Sequence, residues 1–489
     1  MLQRLYHSVH TYAHQNAFCI NEVFYTYTQF TDCVSGIRSI VRNNIPKTEK
    51  IIGLMAYDDL ETYASIIALW FEGKAYVPIN PETPRDRNLT IIQQAGIKTI
   101  LTSNQADYPE IVFLCSSQKI ENKIDHSPVS IIDDEIAYIL FTSGSTGMPK
   151  GVPICFSNIE GFVQGFEALG YKISSKDKCL QMFELTFDLS VMSYLIPLLN
   201  GACIYTIPPT EIKYSYIAEL MDTHQLTVAL MVPSILHYLR PYFGEIKCFS
   251  MRYSLFCGEA LPLDITQEWS QCVPKARIDN VYGPTEDTIF CTAYTFKREE
   301  ANKVLNGILS IGCVMKGTHT IIVDDNNRSV HRGDTGELCL SGIQLTPGYW
   351  KNEQKNKESF FYQDGNRYYK TGDLCSTDEE GDLMYHGRLD FQAKIQGFRV
   401  ELTEIEYHAR ELLKDKINIV ALAFVNSIGN TEIGLVFESL PFGTQEFIHL
   451  LKEKLPAYMH PTQLRFVEHF PLNINGKIDR KKLTILFTE

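Results

Sequence analysis

The chain has 489 residues, too many for one hydrophobic core, so two or three domains are expected. Its net charge of −13, from 45 basic and 58 acidic side chains, argues against a general nucleic-acid or membrane-surface role. No run approaches the ~20 apolar residues of a membrane span, the N-terminus lacks the apolar core of a signal peptide, and thirteen scattered cysteines without a Cys-x-x-Cys fit reduced thiols in a cytoplasmic setting.

Residues 30–41 carry apolar side chains at helical spacing, 51–56 read as a buried strand and 63–71 as a helix. Strands alternating with helices indicate α/β layering. The prolines at 78, 81 and 84 are expected to rule out regular structure across residues 73–87. A strand at 97–102 follows, and the polar stretch 102–134 reads as irregular chain. Residues 137–140 and 152–154 read as short strands, which makes 141–151 a loop between strands. Further strands are expected at 227–232 and 254–257, stopped by Pro233 and Gly258. Near Gly372 the character changes. Residues 404–413 form an amphipathic helical pattern, and 417–425 and 433–438 alternate as strands do. We place a boundary at Asp390. That gives a large layered α/β domain, 1–389, and a small α+β domain, 390–489. No metal-ligand cluster stands out among the histidines and cysteines.

The loop 141–151, Phe141-Thr142-Ser143-Gly144-Ser145-Thr146-Gly147-Met148-Pro149-Lys150-Gly151, combines hydroxyls, glycines and a lysine. Glycines let main-chain N–H groups approach an anion, and the hydroxyls and lysine add donors and charge, a set suited to a polyphosphate. A Walker A loop needs Gly-Lys-Ser/Thr opening a helix, which this is not. The spelling instead resembles the phosphate loop of the adenylate-forming enzymes, which include acyl-CoA synthetases, luciferases and amino-acid adenylation domains. Other stretches resemble the same family in the same order. In Asn280-Val281-Tyr282-Gly283-Pro284-Thr285-Glu286, a tyrosine ring can stack on a purine and a carboxylate beside phosphates can hold Mg²⁺. Asp373, in Tyr369-Lys370-Thr371-Gly372-Asp373, is expected to grip the ribose with the help of Arg388. Gly387 to Leu402 matches the hinge and following loop, with Asp390 at the hinge position; Gln396 and Thr403 depart from the common arginine and glycine. In Asn473-Ile474-Asn475-Gly476-Lys477, the lysine is expected to stabilise charge as a carboxylate attacks the α-phosphate.

The resemblance implies an acyl-adenylate synthetase fold and a catalytic set of Lys477, Glu286 and Arg388. The implied ATP contacts are Thr142, Ser143, Gly144, Ser145, Thr146, Gly147, Lys150, Gly258, Glu259, Ala260, Asn280, Val281, Tyr282, Gly283, Thr285, Asp373, Arg388 and Lys477. Glu286 and Thr146 are the expected Mg²⁺ contacts. Phe187-Asp188-Leu189-Ser190-Val191 selects the subfamily. A buried aspartate without a partner is costly, so Asp188 in an apolar, strand-like context calls for a cation, the α-ammonium of an amino acid. Pocket positions fall on Leu189, Met192, Ser234, Leu255, Cys257, Val281, Ile289 and Phe290. Most are bulky, and Cys257, Met192 and Phe290 are expected to limit the side chain to hydrogen or methyl. The stretch around Cys257 also resembles the D-alanine–carrier protein ligase branch. The expected activity is therefore a stand-alone ligase with ATP and Mg²⁺. It would load D-alanine first, with glycine and L-alanine open, onto the phosphopantetheine of a separate carrier protein. A CoA ligase for a small acid is the alternative.

Overall fold

The structure is a computed structural model describing residues 1–118, 124, 127–132, 134–144, 147–390, 392–414, 417–472 and 478–487. Two large sheets carry the N-terminal part. One has six strands in the order Val112–Cys115, Thr99–Thr102, Ile51–Met55, Ala75–Ile79, Ile136–Thr142 and Lys150–Cys155, parallel except for the last. The other has nine strands and is mostly parallel from Asn16–Ile20 through Cys203–Thr206, Lys178–Gln181, Val228–Met231 and Tyr253–Phe256 to Arg277–Tyr282. Interior strands of such sheets are buried on both faces and read as continuous apolar runs, which is why they stand out in the sequence.

The helix Leu60–Phe71 lies between the sheets. All of it but Glu61 is buried, as expected for a helix that is apolar all round. Its Tyr63 ring meets Phe18 of the nine-stranded sheet at 5.0 Å, and its Trp70 indole donates to the Ala137 carbonyl of the six-stranded sheet at 2.9 Å. Asp59 starts it by accepting from the Thr62 N–H at 2.8 Å.

Three expectations are corrected. The prolines at 78 and 84 do not exclude regular structure. Pro78 sits within the strand Ala75–Ile79, whose ladder to Ile136–Thr142 rests on the single pair Tyr76↔Tyr138 and so needs no N–H from residue 78. Pro84 precedes the helix Arg85–Ala95, where a missing N–H removes no helical bond. The irregular stretch 102–134 contains the edge strand Val112–Cys115, whose partly exposed side chains conceal it from an apolar-run reading. Asp188 lies not in a strand but at the start of the helix Leu189–Asn200.

A five-stranded sheet contains the antiparallel pair Asn366–Thr377 and Leu383–Arg388. Beyond it come the hairpin Gln392–Ile395 and Phe398–Glu401, the helix Leu402–Leu412, and a three-stranded sheet of Asn418–Val425, Thr431–Glu438 and Gln463–Val467. Val400, Ile405, Leu435 and Phe447 belong to an apolar cluster of their own, separate from the N-terminal core. Asp390 falls between Arg388 and the hairpin, and we propose the boundary there. Among the described residues no helix is long and apolar enough to cross a membrane.

Candidate active site

Thr142 pairs in register with Lys150 across an antiparallel hairpin, so the phosphate-type loop is held at both ends by one ladder. A side chain at Gly144 would meet the Met148 carbonyl oxygen at 2.0 Å, and Gly147 has φ +78°, so both positions require glycine. Ser145 and Thr146, expected phosphate and metal contacts, and Lys477, the expected catalytic lysine, lie outside the described residues.

The loop's donors meet the C-terminal part of the chain. Ser143 Oγ donates to the Arg399 carbonyl at 2.6 Å, the Gly144 N–H donates to Glu404 Oε2 at 3.1 Å, and Lys150 Nζ donates to Glu401 Oε1 at 3.1 Å. Two carboxylates of the chain itself therefore occupy the Gly144 and Lys150 donors in this arrangement. Arg87, from the helix Arg85–Ala95, pairs with the other oxygen of Glu404. Burial, with Arg399 close by, pulls the Lys150 ammonium below the ordinary lysine range.

Glu286 is wholly buried. It accepts from the Tyr349 hydroxyl at 2.6 Å and from Arg399 NH1 at 3.0 Å. Burial alone would raise its carboxyl; Arg399 and Lys150 outweigh that and hold it at about 2, so it is ionised at neutral pH. An ionised carboxylate fits the donor chemistry of Mg²⁺, a hard cation that takes oxygen ligands. In this arrangement the Arg399 guanidinium holds those oxygens.

Asp373 and Arg388 face each other across neighbouring strands, with Arg388 NH1 2.7 Å from Asp373 Oδ1. The Tyr282 hydroxyl donates to Asp373 Oδ2 at 2.6 Å, and Lys394 Nζ lies 5.3 Å from the centre of the Tyr282 ring. The Asn280 amide donates to the Leu309 and Ser310 carbonyls, so its donors hold the main chain. Gly258, with φ +90°, brings its chain to 3.2 Å from the Gly397 Cα, measured from where a Cβ would stand. Glu259 accepts from the Ser234 N–H at 2.8 Å and the Gly397 N–H at 3.1 Å, while Ala260 is exposed. A side chain at Gly283 would meet the Phe290 Cα at 2.4 Å.

Asp188 is 3% exposed, and its Oδ2 has no hydrogen-bond partner. Burial pushes its carboxyl up to about 7, against hydrogen bonds from Thr285 and from the main chain of Leu189 and Ile289. A cavity of about 40 Å³ has Asp188, Leu189, Cys257, Tyr282, Ile289 and Gly397 among its walls. Burial pushes the Cys257 thiol up to about 12, so that wall presents a neutral sulfur.

The predicted pocket is corrected in part. Met192, Leu255, Val281 and Phe290 are buried but are not walls of this cavity, and Ser234 lines another with Phe187 and Phe398. The Phe290 ring packs edge-on against Phe162 at 5.0 Å. The reason is backbone conformation. Thr288 and Ile289 both have positive φ, +51° and +75°, which is rare and strained for β-branched residues. That turn sets Ile289 at the cavity and Phe290 in the core. Of the predicted pocket positions, Leu189, Cys257 and Ile289 are walls of this cavity.

Sequence reasoning missed Arg399, Glu401, Glu404, Lys394 and Tyr349. Arg399 and Glu401 stood inside a recognised stretch, but no local spacing says that their partners lie at Glu286 and Lys150.

The family described as AMP-binding enzyme matches residues 5–350. A plipastatin synthase of Bacillus subtilis is 30% identical over 473 residues, 94% of this chain and 13% of that protein, so the chain spans about an eighth of that relative's length. The D-alanine--D-alanyl carrier protein ligase of Bacillus cytotoxicus is 29% identical over 487 residues, covering 96% of each chain. Among solved structures, the Vibrio cholerae adenylation domain AlmE in complex with glycyl-adenosine-5'-phosphate superposes with a TM-score of 0.84 at 25% identity, over 98% of this chain and 97% of that one.

Proposed function

The chain belongs to the AMP-binding enzyme family, and from that premise we propose an ATP-dependent, AMP-forming ligase. It activates a small amino acid and passes it to the phosphopantetheine thiol of a carrier protein. The observation that carries the amino-acid part is Asp188, a buried carboxylate with an unpartnered oxygen beside a small cavity. An α-ammonium supplies the missing partner, and the short reach to Leu189, Cys257 and Ile289 suits hydrogen or methyl. D-alanine stands first, with glycine and L-alanine next, because a carrier protein ligase for D-alanine and a glycyl-adenylate-bound domain are among the relatives.

In the first step a carboxylate oxygen of the amino acid bonds to the α-phosphorus of ATP, and the bond to the β-phosphate bridge breaks, releasing pyrophosphate. The chain's part is positioning and charge placement. The Thr142–Lys150 loop holds the β- and γ-phosphates and Asp373 with Arg388 holds the ribose, while the resemblance assigns Lys477, outside the described residues, to charge stabilisation at the attacking oxygen. Glu286 would hold Mg²⁺ through a carboxylate oxygen once released from Arg399, and the ion would supply neutralisation of phosphate charge. In the second step the thiol sulfur bonds to the aminoacyl carbon, AMP leaves and the thiol proton goes to solvent. The described arrangement suits this step. Gly397 lies against Gly258, and Phe398 stacks on Tyr458 at 4.0 Å and packs near Phe187 at 5.4 Å. An adjoining cavity of about 330 Å³, lined by Phe187, Val232, Gln396 and Phe398, offers an apolar passage for a pantetheine arm.

Amino-acid-dependent exchange of pyrophosphate into ATP, run over a panel with both enantiomers, tests the reading. Glycine or one alanine enantiomer should lead, and valine, leucine and phenylalanine should trail by roughly 10–200-fold per extra methylene. A preference for a large side chain overturns the pocket argument. Transfer to free CoA in place of a carrier favours the alternative, a CoA ligase for a small acid, against which Asp188 stands.

Two further outcomes are expected. Below about pH 7 Asp188 carries a proton and loses its attraction for an ammonium, so the amino-acid KM should fall as pH rises through about 7. Asp188→Asn should flatten that profile in initial-rate measurements; a retained profile assigns it to another group. Asp390 accepts from Arg388 at 2.7 Å and from the Gln392 N–H at 3.2 Å. Asp390→Pro fixes φ at the proposed hinge and should spare adenylation while slowing carrier loading. Asp390→Ala, which removes the same carboxylate without fixing φ, should load faster. Equal loading by the two variants excludes a hinge at this residue.

A further inference from the structure

A second side-chain cluster stands at the far edge of the nine-stranded sheet. Cys19, on the strand Asn16–Ile20, is in register with Phe24 on one side and Tyr205 on the other, which puts the three on one face of the sheet. The turn that follows, Asn21 and Glu22, has positive φ at both residues, +50° and +62°. That is the two-residue hairpin geometry usually given to asparagine and glycine. His224 ends the π-helical segment Leu220–His224, and its ring lies 5.0 Å from Tyr205 and 5.9 Å from Phe24. It therefore covers the face that carries Cys19. Two segments distant in sequence, the hairpin carrying Cys19 and Glu22 and the segment ending at His224, thus bring a thiol, a carboxylate and an imidazole together. One ligand atom from each lies within 4.8 Å of the other two.

We propose that Cys19, Glu22 and His224 bind a divalent transition-metal ion of the zinc class, with water as fourth ligand. Sulfur, nitrogen and carboxylate oxygen together match a borderline-soft ion, whereas Mg²⁺ and Ca²⁺ take oxygen. The partners around them are of the kind that orient metal ligands. The Tyr216 hydroxyl donates to Glu22 Oε1 at 2.6 Å, which leaves Oε2, now 2.9 Å from His224 Nε2, as the coordinating oxygen. Phe24 and Tyr205 hold the imidazole ring. Binding breaks the Cys19 S–H bond, releases that proton to solvent, and replaces the Glu22–His224 contact with two metal–ligand bonds. With thiolate and carboxylate both ionised, the bound ion is charge-neutral. The ion ties the edge hairpin to the segment 220–224. The site is four strands from Tyr253–Phe256, roughly 19 Å at about 4.8 Å per strand, so it is separate from the adenylation site.

Cobalt(II) reports the ligands directly. The full-length protein, stripped with a chelator and titrated with Co²⁺, should develop a near-ultraviolet thiolate-to-cobalt absorption that saturates at one ion per chain and is bleached by Zn²⁺. Cys19→Ser should abolish that band, and Glu22→Gln and His224→Gln should weaken binding. Tyr216→Phe, which removes only the hydroxyl that bonds to the Glu22 carboxylate, should weaken it about 10-fold. Zn²⁺ should raise the melting temperature of the stripped wild type and leave Cys19→Ser unmoved. Amino-acid-dependent exchange, expected at wild-type rate in all four variants, confirms folding. Absence of the band in the wild type overturns the proposal, as does a band unchanged in Cys19→Ser, which would assign it to another cysteine. Should Cys19→Ser fail to fold, Glu22→Gln on the exposed turn decides: an unchanged cobalt affinity overturns the site.

Discussion

Asp188→Ala is expected to raise the amino-acid KM by roughly two to four powers of ten, from the ~3–5 kcal/mol lost when one member of a buried charge pair is removed. The ATP KM should change little, because Asp373 and Arg388 stand on paired strands of a separate sheet with bonds of their own. Stability should move the other way. In the free protein Asp188 Oδ2 is buried without a partner, and such a group costs about 1–3 kcal/mol. Its removal should therefore leave the melting temperature unchanged or higher. A raised KM with an unchanged or higher melting temperature identifies a group kept for its ligand. An unchanged KM returns the protein to the CoA-ligase reading.

Lys477→Ala is expected to lower the adenylation rate by about 10²–10³-fold, the usual loss when one charge-stabilising group is withdrawn from a developing anion. Transfer from preformed aminoacyl-AMP to the carrier should be nearly unaffected, since the lysine's charge is needed only as carboxylate meets phosphate. Single-turnover measurement of the two half-reactions separates them. Equal losses in both would show that Lys477 acts on something common to both steps. Arg399 is the natural contrast. It holds Glu286 in the described arrangement, so Arg399→Ala should depress transfer more than adenylation.

Much of the fold was legible because parallel interior strands and a helix between two sheets must be apolar throughout. Ile51–Met55, Val228–Met231 and Leu60–Phe71 announce themselves in that way. The failures have equally local causes. Pro78 enters a strand where no N–H is required, and Val112–Cys115 is an edge strand with partly exposed side chains.

By itself the sequence determined the local spellings from which the candidate site residues are read. Loop geometry and main-chain approach demand glycine at 144 and 147, and demands of that kind leave fixed local spellings. Only the tertiary structure decided which side chains meet. Glu401 on Lys150, Glu404 on Gly144 and Arg399 on Glu286 join positions 251, 260 and 113 residues apart. The inward turn of Ile289, which sends Phe290 to the core, rests on positive φ at two β-branched residues. Cys19, Glu22 and His224 converge only because a hairpin edge and a π-helical segment share one sheet face. Local preference is written over a few residues, whereas contacts of this kind are set by the packing of whole sheets. No spacing in the chain encodes them.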